Sequence, residues 1–450
     1  MTPAAPAVAA SSPAGSAASA LPDAGELRVD LRRIKDDVLA LAAIGKSGQN
    51  QGIYRMAFTD EDMAGKRWLL NRIEECGLEP ASDGAANISG ILPGEIDSPR
   101  VYVGSHIDTV PCAGMLDGAL GVVAGLECLR AMRAAGLRPR RSVELIAFSD
   151  EEGRFGGTFG SEAFTGVLAP DKLHQAADLG GTALRDAMLA QGLDPMRALE
   201  ARRRPDEIAA YLELHIEQGP VLHEQRLQVG IVERITGLRS WSLSLVGEAN
   251  HAGTTPMDYR RDAFMGLADF AHELPRILDE NGGPESRATI GKAEIRPGAP
   301  NSVPGRVDFS LDFRDPDSAL LDELSEAFQK ALAAVSRRRR LQFELRVQGE
   351  IEPVASHPAL VGILHEESDR LGLRSLPMLS GAAHDAQLVG RIAPMAMVFV
   401  PSQGGLSHSP AEWTPWEDIE AGANLLLAAL CRLACEDLPN PAESAESAEP

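Results

Sequence analysis

Four short apolar runs in this chain each stop at a side chain that can bind a divalent cation, and this coincidence constrains the fold more than any other feature. Residues 101–103, Val-Tyr-Val, break at Gly104 and Ser105 and deliver His106, with Asp108 two residues on and Asp117 beyond a short glycine-containing loop. Residues 143–148 lead into Ser149, Asp150, Glu151 and Glu152, residues 211–214 into His215, and residues 395–400 into a Gly-rich loop carrying His408. Runs of this length between turn residues read as buried strands. One polar strand end is ordinary. Four of them, each with His, Asp or Glu and one with acids that would repel each other without a cation, predict a metal centre along one edge of a sheet.

The surrounding pattern supplies such a sheet. Helices are expected over 27–41, over 60–76 before Gly77 and over 119–135 before Gly136, with strands over 101–104, 142–148 and 211–215. Their alternation predicts an α/β fold, a sheet layered with helices. From residue 235 the pattern changes to a strand over 240–246, a helix over 259–278, strands over 288–295 and 307–313, a helix over 318–335 and a strand over 341–347. This β-α-β-β-α-β order is a split βαβ unit, expected as a domain at 235–352 inserted between two parts of the first, 25–234 and 353–437. Residues 1–24, almost all Ala, Ser, Pro and Gly, and the Pro- and Glu-rich end at 438–450 are expected to be disordered. The arginines from Arg337 to Arg340 fall where a helix ends, and cations there oppose the helix dipole.

A net charge of −22 disfavours a nucleic-acid partner and leaves any acidic substrate to local cations. No apolar run approaches the roughly 20 residues of a bilayer span, so no membrane partner is expected. The first residues lack the basic and apolar regions of a secretory signal. Cys76, Cys112, Cys128, Cys431 and Cys435 are odd in number and scattered, which is no disulfide framework. A cytoplasmic protein is expected. Cys431 and Cys435 read as core residues of one helix, while Cys112, in the loop before Asp117, is either a packed thiol or a contact to metal or substrate.

His106, Asp117, Glu152, His215 and His408 supply five donors, too many for one four-coordinate ion that keeps a water position. They suffice for two ions if Asp117 bridges. Nitrogen and oxygen donors without thiolate favour zinc, manganese, cobalt or nickel. Glu151 is left beside the ions without one to bind, which suits a general base that later acts as acid. Asp108 is expected to orient His106 from behind.

The stretches GSHIDTV, MLDG, SDEEG, ELHIEQGPVL, NHAGTTPMDYRRDA, RPGAPNSVPG, SLDFRDPD, GAAHDA and GGLSHSPAEWT follow one another from Gly104 to Thr414. In this order they resemble the hydantoinase/carbamoylase family of amidases, of the dinuclear metallo-aminopeptidase-like superfamily, which includes N-carbamoyl-L-amino acid hydrolases, allantoate amidohydrolases and β-ureidopropionases. The resemblance extends from about Leu27 to Leu433. It implies a mixed-sheet catalytic domain, an inserted α+β lid that also makes a homodimer interface, and two metal ions per subunit. It further implies a substrate-carboxylate clamp at Arg314, hydrogen bonds to substrate from Gln218 and Asn301, and contacts from Gly381 and His384. His251 is implied as the lid histidine that stabilises the tetrahedral intermediate from the partner subunit. Ala383 replaces the second glycine of the family's GAGHDA segment, and would be strained there if the position needed a positive φ.

The implied reaction is hydrolysis of the ureido C–N bond of a linear N-carbamoyl acid, releasing ammonia and carbon dioxide. The sequence leaves open whether the substrate is allantoate, an N-carbamoyl-L-amino acid or N-carbamoyl-β-alanine. A dipeptidase or aminoacylase would use the same metals, but His215 lies where related peptidases of the superfamily usually have an acidic ligand. A metal-stabilised binding protein without turnover would have lost a ligand or the base, and none is missing.

Overall fold

The computed structural model describes residues 26–436, so the expected disordered ends lie outside the described residues. Among the described residues, nine strands form one sheet. From one edge it runs Glu79–Ser82, Ile88–Leu92, Arg141–Phe148, Ile96–His106, Ile208–Ile216, Met395–Val400, Val229–Ile235 and Val354–Ala355, with Ser375–Ser380 also pairing to Val229–Ile235. The four central strands, from Arg141–Phe148 to Met395–Val400, are mutually parallel, whereas both flanks contain antiparallel pairs. The fold is therefore α/β, as the alternation of elements predicts, with the mixed sheet that the resemblance implies.

Burial explains why the central strands read as unbroken apolar runs. In Ile208–Ile216 all nine positions are buried. Leu212, Leu214 and Ile216 point to the face that packs against the helices Ala119–Ala134 and Trp416–Cys435, while Tyr211, Glu213 and His215 occupy the other face. Gly121 lets the first of these helices approach closely, because a Cβ there would overlap the carbonyl oxygen of Leu214. Cys128 and Cys431 are buried in this core.

Residues 237–351 form a second sheet of five strands, Ala293–Arg296, Arg306–Asp315, Gly237–Val246 and Gln342–Ile351 in order, with Arg287–Thr289 also pairing to Arg306–Asp315. Its strands are antiparallel, and Val307, Phe309, Leu311 and Phe313 alternate inward onto the helices Ala263–Asn281 and Ser318–Arg339, giving a separate core. The strand predicted over 288–295 is in fact two, Arg287–Thr289 and Ala293–Arg296, interrupted around Gly291 where the Ser310 hydroxyl accepts the Lys292 N–H. The helix predicted from residue 259 begins at Ala263 instead, because the Asp262 carboxylate caps the N–H groups of Phe264 and Met265. At the end of Ser318–Arg339, Arg338 and Arg339 pair with Asp269, so these arginines serve the helix packing. No helix among the described residues is long and apolar enough to cross a membrane.

Gly121→Ala should shift the helix Ala119–Ala134 off the central strand and lower stability by about 1–3 kcal/mol, the usual penalty of overpacking. Chemical denaturation checks it, and an unchanged midpoint would contradict the close approach.

Candidate metal centre and active site

Parallel pairing in register brings the candidate ligands together. His106 lies opposite Phe148, and His215 opposite Phe399, so the four central strands finish along one edge. Beyond that edge the chain continues as Ser149–Glu152, Glu217–Gln218 and the loop to His408. Three non-glycine residues there, Asp150, Gln218 and His408, have left-handed backbones with φ of 55°, 58° and 52°. Such conformations cost energy and persist where the surroundings hold a side chain in a needed direction.

Asp117 is the centre of the arrangement. Its Oδ1 lies 3.2 Å from His215 Nε2 and 3.8 Å from His106 Nε2. Its Oδ2 lies 3.3 Å from His408 Nε2, which is also 3.3 Å from Glu152 Oε2. Two donors bound about 2.1 Å from one ion at a tetrahedral angle stand about 3.4 Å apart, so these spacings fit shared cations. His106 and His215 are oriented for this role: their Nδ1 atoms face the backbone carbonyls of Asp108 at 3.1 Å and Ile216 at 2.9 Å. An Nδ1–H donated there leaves the Nε2 lone pair facing the cluster. Glu152 Oε1 is buried with no hydrogen-bond partner. The donor set therefore fits a divalent-metal site.

The local electrostatics agree. Asp62, Asp108, Asp117, Asp150, Glu213, Asp385 and Glu412 are all buried around this edge, against a buried Lys66 and Arg55. Burial would lower the His215 pKa, but its contact with Asp117 lifts it to about 9. Hydrogen bonds to Asp117 and Glu152 lift His408 to about 10. Burial, reinforced by Asp385, Glu152, Asp108 and Asp117, pushes the Glu151 carboxyl well above its ordinary range. Glu151 Oε2 lies 3.5 Å from His106 Nε2, at the rim of the cluster.

Asp108 acts on the site by a different route from its expected one. Its carbonyl, rather than its carboxylate, faces His106 at hydrogen-bond distance; the carboxylate is 3.8 Å from the ring. That carboxylate instead accepts the backbone N–H groups of Glu151 at 3.3 Å and Glu152 at 3.2 Å, and so fixes the acidic turn. Three supporting residues were not singled out by the sequence reading. Glu412 accepts the N–H groups of Leu116 and Asp117 at 2.8 and 3.1 Å, and Ser407 donates to Asp117 Oδ2 at 2.8 Å. Glu213 receives Ser105, Tyr211 and the Ala386 N–H beneath His215. The signal for Glu213 was its i, i+2 spacing from His215 on one strand face. Glu412 lay within the quoted GGLSHSPAEWT, with nothing in its spacing to point back to Asp117.

The other predicted residues take four places. Gln218 Nε2 is 2.9 Å from Asp117 Oδ2, so this side chain touches the cluster itself. His384 is buried, its ring 4.5 Å from that of His215 and its Nε2 2.9 Å from Ser380 Oγ. His251 and Asn301 are brought together on the second sheet's side: His251 pairs with Ser302 in a two-stranded ribbon, and Ala252 N–H donates to the Asn301 carbonyl at 2.9 Å. Arg314 forms an ion pair with Asp312 rather than with Asp315 or Asp317, and its Nη1 donates to the Gly381 carbonyl at 2.7 Å. Gln218, Arg314, Gly381 and Thr236 line one cavity of about 460 Å³. Ala383 lies outside the left-handed region, so it carries no such strain. The Cys112 thiol packs against Gly52.

The family model for Peptidase family M20/M25/M40 matches residues 102–432. The chain belongs to this family, among its hydantoinase/carbamoylase amidases. It is 37% identical over 406 residues to an N-carbamoyl-L-amino acid amidohydrolase of Geobacillus stearothermophilus, covering 89% of this chain and 98% of the relative. It is 36% identical over 387 residues to an allantoate amidohydrolase of Escherichia coli K12, covering 85% and 93%. A crystal structure of a hydantoinase/carbamoylase family amidase from Burkholderia multivorans superposes with a TM-score of 0.82 at 34% identity, over 91% of this chain and 99% of that one. A Staphylococcus aureus tripeptidase, 15% identical, shares the fold at a TM-score of 0.64, over 90% and 99%. The chain is a hydrolase acting on C–N amide bonds.

The raised groups make a pH prediction for the metal-free protein. A histidine whose folded pKa of about 9 exceeds its unfolded value near 6.5 stabilises the fold below about pH 6.5, and that contribution is lost as pH rises through 9. Buried carboxyls with raised pKa, such as Glu151 and Glu213, act in the same direction. With chelator present, Tm should fall between pH 6.5 and 9, and added zinc or manganese should remove much of the fall. Calorimetry over that range checks it; a flat profile in chelator would contradict the assignment.

Proposed function

We propose that this protein hydrolyses the ureido C–N bond of linear N-carbamoyl acids, an N-carbamoyl-L-amino acid or allantoate, with two divalent ions that His106, Asp117, Glu152, His215 and His408 would hold. The observation that carries the reading is the division of one buried carboxylate between two donor sets, His106 with His215 and Glu152 with His408, with Glu151 at the rim. Zinc, manganese, cobalt or nickel bound there would lower the pKa of a shared water and polarise the ureido carbonyl.

The chain's own groups then divide the work. Glu151 removes the proton of the attacking water and delivers it to the departing nitrogen, and its burial keeps the carboxyl readily protonated between the two steps. His251 Nδ1 accepts the N–H groups of Gly253 and Thr254 at 3.1 and 3.2 Å, which leaves the neutral ring's proton on Nε2. That N–H is the donor offered to the oxyanion. In the proposed arrangement it reaches the reacting carbon from the partner subunit of a homodimer built through the second sheet, which serves as an inserted lid domain at 235–352. Arg314 takes the substrate carboxylate, a geometry that suits its planar fork, and Asn301, Gln218, Gly381 and His384 surround the ureido acid. The carbamate left by this cleavage then loses carbon dioxide, so that the products are the free amino compound, ammonia and carbon dioxide.

The names of the relatives favour ureido acids over peptides, since the matched amidohydrolases act on N-carbamoyl-L-amino acids and on allantoate. Ammonia release from allantoate, N-carbamoyl-L-amino acids, N-carbamoyl-β-alanine and dipeptides, after loading with manganese or zinc, tests the reading. Turnover of a ureido acid is expected; turnover of dipeptides alone would overturn it. Glu151→Gln should lower kcat by about 10² to 10⁴ while bound metal stays at the wild-type level. Near-normal kcat in that variant would remove Glu151 from its role.

A further inference from the structure

The chain passes between the two sheets twice among the described residues, at Thr236 on the way into the second sheet and at Glu352 on the way out. Both crossings meet one side chain. Gln387, fully buried on the short helix Asp385–Val389, donates through Nε2 to the Thr236 carbonyl and to the Glu352 carbonyl, each at 2.9 Å. Both partners are acceptors only, so the orientation of the amide is fixed by its surroundings. Its Oε1 and the neighbouring Thr236 hydroxyl are buried without a hydrogen-bond partner, so the clamp is made at the expense of two unpaired polar atoms.

The helix that carries Gln387 also holds the floor of the metal cluster. Ala386 N–H donates to Glu213 Oε2 at 3.0 Å, and His384, capping the same helix, packs its ring on His215. On the far side of the clamp, the Glu352 carboxylate is bound to Arg239 at 2.6 Å and to Ser318 at 2.5 Å, both part of the second sheet's layer. A continuous set of contacts thus runs from His215 through the helix and Gln387 to the second sheet, which carries Arg314 and, beside it, His251 and Asn301.

We propose that Gln387 is a positioning residue: its amide ties both inter-sheet crossings together and sets the angle at which the second sheet presents Arg314 to the metal cluster of its own subunit and, in the proposed dimer, His251 to that of the partner. Its effect on turnover rests on the two-part site proposed above, whereas its effect on geometry does not. A misplacement of about 1 Å can cost about 10²-fold in rate, so a loosened crossing is felt at the reacting atoms without any ligand being lost.

The test uses the full-length, metal-loaded protein with spin labels on keto side chains introduced at the exposed positions 330 and 197, diluted into unlabelled chain so that distances within one subunit dominate. Gln387→Met keeps the shape and removes both donors. The expected result is an inter-sheet distance distribution broadened or displaced by several ångströms, kcat/KM on the ureido substrate lowered about tenfold or more, and wild-type metal content. A wild-type distance distribution would overturn the proposal, whatever happens to activity, and so would a changed distribution with wild-type kcat/KM. If Gln387→Met does not fold, Gln387→Asn, whose amide falls one methylene short, should shift the distribution in the same way. An unchanged distribution in that variant is equally fatal. Were the wild type inactive on every ureido acid, the distance measurement would still decide whether Gln387 holds the crossings.

Discussion

The carboxylate of Asp117 is the interaction on which the rest of the site depends. Its two oxygens face opposite ways, one toward His106 and His215 and the other toward His408 and Glu152. A buried carboxylate in such a position cannot be held by packing alone. Its backbone N–H is fixed by Glu412, its Oδ2 receives Ser407 and Gln218, and Gly118 after it turns the chain with φ of 60° into the helix Ala119–Ala134. A Cβ at Gly118 would overlap the His106 ring, so the turn and the ligand have to be solved together.

The parallel strands make that carboxylate useful. Four strand ends in register gather donors from positions as far apart in sequence as His106 and His408, and the apolar face of each strand anchors them to the helices behind. The antiparallel second sheet contributes a different kind of surface, half buried and half open, from which Arg314 already reaches the Gly381 carbonyl. In the proposed mechanism the chemistry would be divided, with the central sheet holding the ions and Glu151 and the second sheet offering the groups that bind the substrate.

Much of this was legible in the chain, for physical reasons that differ from residue to residue. Central strands buried on both faces leave continuous apolar runs, so the strand Met395–Val400 is found with its predicted bounds. Flanking strands such as Glu79–Ser82, exposed at every position, leave no such mark and were not anticipated. The candidate ligands could be read because His and acids at buried strand ends are costly unless they bind something, and the fold brings them together. Roles transmitted through the backbone could not: nothing in HxD spacing says that the Asp108 carboxylate would hold the Glu151 and Glu152 N–H groups while its carbonyl turned to His106. Glu412 and Gln387 were hidden for the same reason, since each acts on main-chain atoms remote in sequence.

The central claim is that Asp117 stands between two cations, and anomalous scattering decides it most directly. Crystals of the manganese- or zinc-loaded protein should give two anomalous peaks per subunit at the metal edge, one contacting Asp117 Oδ1 with His106 and His215, the other contacting Oδ2 with Glu152 and His408. A single peak at full loading, or two peaks of which only one touches Asp117, would contradict the account.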